Sequence, residues 1–185
     1  MLSLERSPKY CPYCGQTLIL KKENAITRPF CENCNLFIYR NPVPVVAIVV
    51  FNKNSEVLLI KRKIEPAKGK WALPSGFIEL HEEPDTAARR ELAEETGLKI
   101  ENLKLINAFH QDSKRYESVL VLAYLGFSDA NPTPGDDAEE AKFFPTSFAL
   151  ENVAFVSHKN AIIKALKILP DFKCYMESPP SENER

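Results

Sequence analysis

The sequence predicts an α/β domain preceded by a small metal-binding module, and two observations carry that prediction. Beyond residue 41, apolar strand-like runs are interleaved with segments of helical periodicity, the order expected of a sheet covered by helices. Before it, Cys11-Pro-Tyr-Cys14 and Cys31-Glu-Asn-Cys34 form a C-x2-C-x16-C-x2-C array. The implied boundaries are 1–40 for the module, 41–177 for the α/β domain, and 178–185 for a polar, proline-containing tail expected to be disordered.

The cysteine spacing suits a tetrahedral structural zinc, with Cys11, Cys14, Cys31 and Cys34 as ligands. Gly15 and Asn35 follow the second cysteine of each pair, where a tight turn favours residues that tolerate positive φ. Two disulfides or a redox couple are the alternative, and a reducing cytosol disfavours permanent disulfides. Four thiolates close the coordination sphere, so this zinc would fold the module and leave catalysis elsewhere. Cys174 has no partner at metal-ligand spacing and reads as a plain thiol. Through residue 40, six basic residues (Arg6, Lys9, Lys21, Lys22, Arg28, Arg40) face three acidic ones (Glu5, Glu23, Glu32), an excess too modest to mark a nucleic-acid surface. Tyr10, Phe30, Phe37 and Tyr39 read as the core of the module before they read as a stacking platform.

Arg40-Asn-Pro-Val-Pro is a stiff junction. Residues 45–52 form a continuous apolar strand, 52–55 a turn and 57–62 a second strand, together a hairpin. Pro84 suits a first helical turn and Gly97 a left-handed stop, which predicts a helix between them. Residues 103–109 and 118–127 read as strands, and 128–138 as a turn-rich loop. A last helix spans 158–169, with Ser157 placed to cap it and Pro170 to end it. The net charge of −1 creates no field toward nucleic acid or an anionic membrane. The longest apolar run, 43–51, is too short to span a bilayer, and the first residues lack the apolar stretch of a signal peptide. A soluble cytoplasmic protein is expected.

The chemistry concentrates between Gly76 and Leu98, in the run Gly76-x5-Glu82-x7-Arg90-Glu91-Leu92-x-Glu94-Glu95-x-Gly97-Leu98. Glu91, Glu94 and Glu95 stand at i, i+3 and i+4, so on a helix their β-carbons lie about 5–6 Å apart on one face. Arg89 and Arg90 answer part of that charge. Clustered carboxylate oxygens suit Mg²⁺ or Mn²⁺ as the remaining counter-charge. A solvated acidic face laced with Glu–Arg pairs is the alternative.

This run resembles the Nudix box at every position. The resemblance implies a Nudix α/β/α sandwich with a mixed sheet, preceded by a small N-terminal zinc ribbon. It implies an enzyme that hydrolyses the diphosphate bond of a nucleoside diphosphate linked to X, releasing NMP and X-phosphate with Mg²⁺ or Mn²⁺. By that resemblance Glu91, Glu94 and Glu95 are metal ligands, with the Gly76 carbonyl a further one. Arg90 holds the carboxylates in place, and Glu82 is a local partner of the helix. The general base is a box glutamate or a carboxylate of the loop holding Asp136, Asp137, Glu139 and Glu140, of which Asp137 or Glu140 aligns best. Arg62, ending a strand beside the expected cleft, is the candidate phosphate contact, with Lys61 and Lys63 pointing the opposite way. Arg115 and Tyr116 are placed to reach a second phosphate or a ribose, and Phe143 or Phe144 to stack on a base or fill the core. His81, His110 and His158 read as exposed loop histidines.

Ribbon and box together are similar to plant FAD and ADP-ribose diphosphatases over nearly the whole chain. They are less similar to bacterial NADH pyrophosphatases, whose downstream Ser-Gln-Pro-Trp-Pro-Phe-Pro array is absent here. The implied substrates are FAD, ADP-ribose and NADH, in that order, and a homodimer is implied by resemblance only. The opposing class is a nucleotide-sensing regulator, or a module whose ribbon binds nucleic acid or a protein partner. An RNA-cap or nucleotide-pool hydrolase would use the same box.

Overall fold

The computed structural model describes residues 7–177, with side chains described through residue 169. The chain divides into two compact units, Met1–Asn41 and Pro42–Arg185. Cys174 and the tail 178–185 fall outside the described side chains. Among the described residues, no helix is long and apolar enough to cross a membrane.

In the first unit, β1 (Ile19–Glu23), β2 (Ile26–Cys31) and β3 (Leu36–Phe37) form an antiparallel sheet in that order. Gly15 and Asn35 take positive φ, 75° and 51°, as the knuckle turns require. Phe30 is buried and meets Phe37 edge-on at 4.9 Å. Tyr10 and Tyr39 point outward instead, so only part of the expected aromatic core forms. The reason for Tyr39 is its hydroxyl, which donates to Glu23 at the surface.

The second unit is a mixed sheet between helices. Its elements are β4 (Val43–Phe51), β5 (Val57–Arg62), β6 (Trp71–Ala72), β7 (Ser75–Phe77), α1 (Pro84–Thr96), β8 (Lys104–Ser113), β9 (Glu117–Phe127), β10 (Ala138–Phe144), α2 (Thr146–Asn152) and α3 (Val156–Glu177). The sheet runs β10-β5-β4-β9-β8, with β6 beside β5 and β7 beside β4. β4 pairs parallel with β9 over its whole length; the other pairings are antiparallel.

Both faces of β4 are covered, which is why it reads as an unbroken apolar run. Ala47, Val49 and Phe51 enter one core with Ala149 of α2 and Ala161, Ile162 and Ala165 of α3. Val46, Ile48 and Val50 enter the opposite core with Ala87, Ala88 and Leu92 of α1. Period-two alternation thus assigns neighbouring residues to different helices.

α1 begins at Pro84 and ends at Gly97, whose φ is 68° and whose amide donates to the Ala93 carbonyl. The loop beyond β9 returns to this helix end. Thr133 N–H reaches the Thr96 carbonyl and Gly135 N–H the Glu95 carbonyl, satisfying acceptors that a helix terminus leaves open.

Four expectations are corrected. β4 and β5 make no full hairpin: they pair only at Phe51–Val57, and the strands then diverge to take β7 and β6 as neighbours. The acidic stretch 138–140 is strand, because β10 supplies the partner that β5 otherwise lacks. Ser157 lies inside α3 and is buried, its hydroxyl bonded to Gln111 of β8 rather than capping. α3 continues past Pro170, since a proline deletes one helical hydrogen bond, a loss a helix with long flanks survives.

A β-carbon at Gly97 would meet nothing closer than 3.6 Å, whereas one at Gly135 would lie 2.4 Å from the Glu94 carbonyl oxygen. Gly97→Ala is therefore expected to cost about 1 kcal/mol, for backbone strain alone, and Gly135→Ala distinctly more. Urea unfolding of both variants checks the order.

Candidate active site on the acidic helix

The divergence of β4 from β5 opens the place where α1 presents its acidic face. β7 fills one side of that gap, setting Gly76 opposite Val46 and Ser75 opposite Ala47. Gly76 is required there because the Glu91 carboxylate occupies the space of a side chain: a β-carbon at residue 76 would lie 1.9 Å from Glu91 Cδ. Glu95, four residues on, is buried at 4% exposure and accepts the Ser75 N–H on Oε2 at 2.8 Å.

Arg90 ties the rest together. Its Nε and Nη2 donate to the two oxygens of Glu82, at 2.8 and 2.9 Å, in a bidentate pair. Nη1 donates to Glu91 Oε1 at 2.7 Å and Glu94 Oε2 at 3.0 Å, and Nη2 also reaches the Phe77 carbonyl at 3.0 Å. Glu82 is thus a partner of the helix, also accepting the Glu79 amide. Glu95 alone among the four glutamates is held by backbone rather than by Arg90.

The charges are not equivalent. Arg90 holds the Glu82 carboxyl down to about 2. Burial pushes Glu91 above the ordinary carboxylate range, against the opposing pull of Arg90. Burial pushes Glu95 further, to about 8, over the Ser75 hydrogen bond that favours its charged form, with the Glu91 charge adding to the rise. Glu95, held by a neutral amide alone, beside Glu91 and a partly exposed Glu94 that share the single charge of Arg90, forms with them a hard oxygen donor set that Mg²⁺ or Mn²⁺ fits.

The other candidate residues divide by location. Arg62 ends β5 near Glu95, whose acidity its charge increases. Its Nε donates to the Pro66 carbonyl at 2.7 Å, and its guanidinium lies 5.6 Å from the centre of the Phe155 ring. Asp137 is on the same side, since its charge also acts on Glu95. Glu140 is engaged instead by Lys142 and by Lys61, the latter at 3.0 Å, and both lower its pKa. Arg115 lies over Tyr116, which packs edge-on against Phe77 at 5.3 Å, the residue whose carbonyl Arg90 holds. Phe143 is half-buried against the α1-side core, and Phe144 stacks on Phe148.

Two features escaped sequence reasoning. Phe77 is 40% exposed beside the box, a position that strand alternation alone does not reveal. His158 is buried, not on an exposed loop, and its Nδ1 accepts the Leu73 N–H at 3.1 Å. The signal was its place at helical spacing from Ile162 and Ala165 on the apolar face of α3.

In the N-terminal unit the four cysteine sulfurs lie within 4.8 Å of one another, with Cys14–Cys31 at 3.5 Å and Cys11–Cys34 at 3.9 Å. A tetrahedral Zn²⁺ with Zn–S near 2.3 Å places its sulfurs about 3.8 Å apart, and a disulfide needs about 2.05 Å. Mutual hydrogen bonds split the thiols, with the Gln16 amide leading in drawing Cys14 down to about 6 and Cys14 pushing Cys34 up to about 12. A dication relieves that competition, so the cluster is compatible with a zinc ribbon.

Two outcomes follow from these geometries. Burial, reinforced by the Arg62 charge, lowers the His158 pKa from 6.5 to about 3. The unfolded chain binds this proton first, so the neutral imidazole's contribution is complete above pH 6.5 and declines as pH falls toward 3, by at most about 1.4 kcal/mol per unit. His158→Asn should flatten that part of the stability–pH curve, measured by urea unfolding. Cys31→Ser, or a strong zinc chelator, should lower zinc content and abolish amide protection in β1 and β2; unchanged zinc content would refute the metal assignment.

Comparisons with known proteins agree with the layout. The NUDIX domain family matches residues 41–171. An ADP-ribose pyrophosphatase of Methanocaldococcus jannaschii is 38% identical over 104 residues, 55% of this chain and 62% of that protein. The NAD-capped RNA hydrolase NudC of Vibrio cholerae is 24% identical over 163 residues, 88% of this chain and 57% of that protein. The chain thus spans less than two thirds of the length of either relative. Among solved structures, a NUDIX hydrolase from Nitrosomonas europaea superposes with a TM-score of 0.67 at 25% identity, covering 89% of this chain and 93% of that one. The NUDIX domain of Shewanella oneidensis NrtR, in complex with ADP ribose, has a TM-score of 0.64 at 22% identity, covering 71% and 90%. With the matched segment taking in the box, the sheet and both covering layers, the chain belongs to the NUDIX family.

Proposed function

We propose that this chain is a divalent-metal-dependent diphosphatase that hydrolyses a nucleoside diphosphate linked to X into NMP and X-phosphate. The observation that carries the reading is the pair of carboxylates turned into the fold, half-buried Glu91 against Gly76 and buried Glu95 against the Ser75 amide, both raised in pKa by burial. Buried anions need a cation, and an ordinary acidic helix face would leave them in water.

Glu91, Glu94 and Glu95 would hold Mg²⁺ or Mn²⁺, with the Gly76 carbonyl as a further donor. Such an ion, when bound, polarises the diphosphate and acidifies a coordinated water. Arg90 orients Glu91 and Glu94 and keeps Glu82 ionised. Arg62 meets phosphate oxygens from the end of β5, and Asp137, whose charge Glu95 feels, is the favoured general base over Glu140, which two lysines already engage. Arg115 reaches the box through Tyr116 and Phe77, and that exposed, edge-on aromatic pair is more open to a base or nicotinamide ring than the half-buried Phe143.

The relatives' names favour ADP-ribose and NAD-like dinucleotides, and FAD stays among the candidates. A homodimer belongs to the same reading, with sedimentation velocity as its check. The functional test is incubation with Mg²⁺ or Mn²⁺ and ADP-ribose, NADH or FAD, with products resolved by chromatography. AMP release is expected from one of them, and Glu95→Gln should lower kcat/KM by about 100-fold, roughly 3 kcal/mol. No turnover with either ion, or full activity in Glu95→Gln, overturns the reading.

A further inference from the structure

His158 lies outside the acidic box and in a different helix, yet it bonds to the segment that leads into the box. Residues 73–74 connect β6 to β7, and three backbone atoms of residues 73–75 are held from three different elements. Leu73 N–H is held by His158 Nδ1 of α3 at 3.1 Å. The Pro74 carbonyl is held by Ile48 N–H of β4 at 2.9 Å, and Ser75 N–H by Glu95 Oε2 of α1 at 2.8 Å. Leu73 is fully buried, so its amide has no recourse to water if His158 stops accepting.

We propose that His158 is a positioning residue: by accepting the Leu73 amide it fixes the two-residue span to Ser75, and through the Ser75 amide it fixes the Glu95 carboxylate. This rests on the reading of Glu95 as a metal-holding glutamate. The proline between the two amides supports the coupling, because a fixed φ at Pro74 leaves the span little freedom to absorb a displacement at Leu73.

The same start of α3 reaches the other side of the cleft. Phe155 packs edge-on against the His158 ring at 4.9 Å and carries Arg62 above its own face at 5.6 Å. Ala154 N–H is tied to the Trp71 carbonyl at 2.9 Å, and Val153 bridges Trp71 in parallel register. Residues 153–158 thus brace β6 and position both the loop holding Glu95 and the guanidinium at the end of β5. An imidazole suits the task because in its neutral form Nδ1 accepts while the ring packs edge-on against Phe155.

The discriminating comparison is His158→Asn against His158→Gln and His158→Leu. The asparagine amide oxygen falls near the position of Nδ1, the glutamine oxygen one methylene further out, and leucine offers no acceptor. His158→Asn is expected to retain kcat and Mn²⁺ affinity near those of the parent. His158→Gln and His158→Leu should lose affinity for Mn²⁺, read by electron paramagnetic resonance without substrate, on the order of tenfold, with a matching fall in kcat and little change in KM. The Ser75 amide should exchange faster in those two variants. If His158→Leu does not fold, the Asn–Gln pair decides: equal loss in both, or parental Mn²⁺ binding in His158→Gln, overturns the proposal. Glu95→Gln measured alongside separates the two levels. Parental Mn²⁺ affinity in Glu95→Gln defeats the active-site reading itself, whereas loss there with no effect at His158 defeats only this inference.

Discussion

The close approach of α1 to β7 is the constraint on which the site depends. Ala87, Ala88 and Leu92 put small and medium side chains against Val46, Ile48 and Val50, so the helix lies low on the sheet. At that distance two of the carboxylates on its flank, Glu91 and Glu95, lie against backbone. Glu91 takes the volume that a glycine leaves free, and Glu95 takes a main-chain amide. Burying anions this way costs free energy, and the fold offsets only part of it. What remains uncompensated is an affinity for positive charge, which supports the proposed metal site.

Arg90 sets how that affinity is divided. One guanidinium spans Glu82, Glu91, Glu94 and the Phe77 carbonyl, neutralising the outer carboxylates while leaving the innermost to a neutral donor. The gradient from Glu82, held near 2, to Glu95, pushed to about 8, follows distance from this one side chain and depth of burial. A lysine would not reproduce it, because the bidentate pair with Glu82 needs a planar fork.

Much of this was legible in the chain. The limits of α1 follow from Pro84 and Gly97, whose backbone preferences are local, and the structure places them at N1 and at the left-handed cap. The cysteine knuckles follow from spacing, with Gly15 and Asn35 at positive φ. Of the three glutamates expected to be held by Arg90, Glu91 and Glu94 are bonded to it and Glu95 is bonded to the Ser75 amide instead. The full hairpin of β4 and β5 does not form, because two apolar strands and a turn carry no information about β7 and β6, which take over the pairing beyond Phe51 and Val57. β10 looked like an acidic loop because Glu139 and Glu140 obscured its alternation; its partner β5 is some eighty residues away in sequence. His158 looked exposed because a histidine near a helix start has no local sign of what packs over it.

What the sequence determined by itself is the chemistry available: which carboxylates share a helix face, which cysteines can meet one ion, where a helix must begin and stop. Those are consequences of spacing and of backbone preference, which act over a few residues. Tertiary structure alone decided which carboxylate is buried, which base candidate lies within the field of Glu95, and that a histidine of α3 holds the loop of β7. Burial and long-range hydrogen bonds are set by what the rest of the chain brings alongside, and no window of the sequence contains both partners.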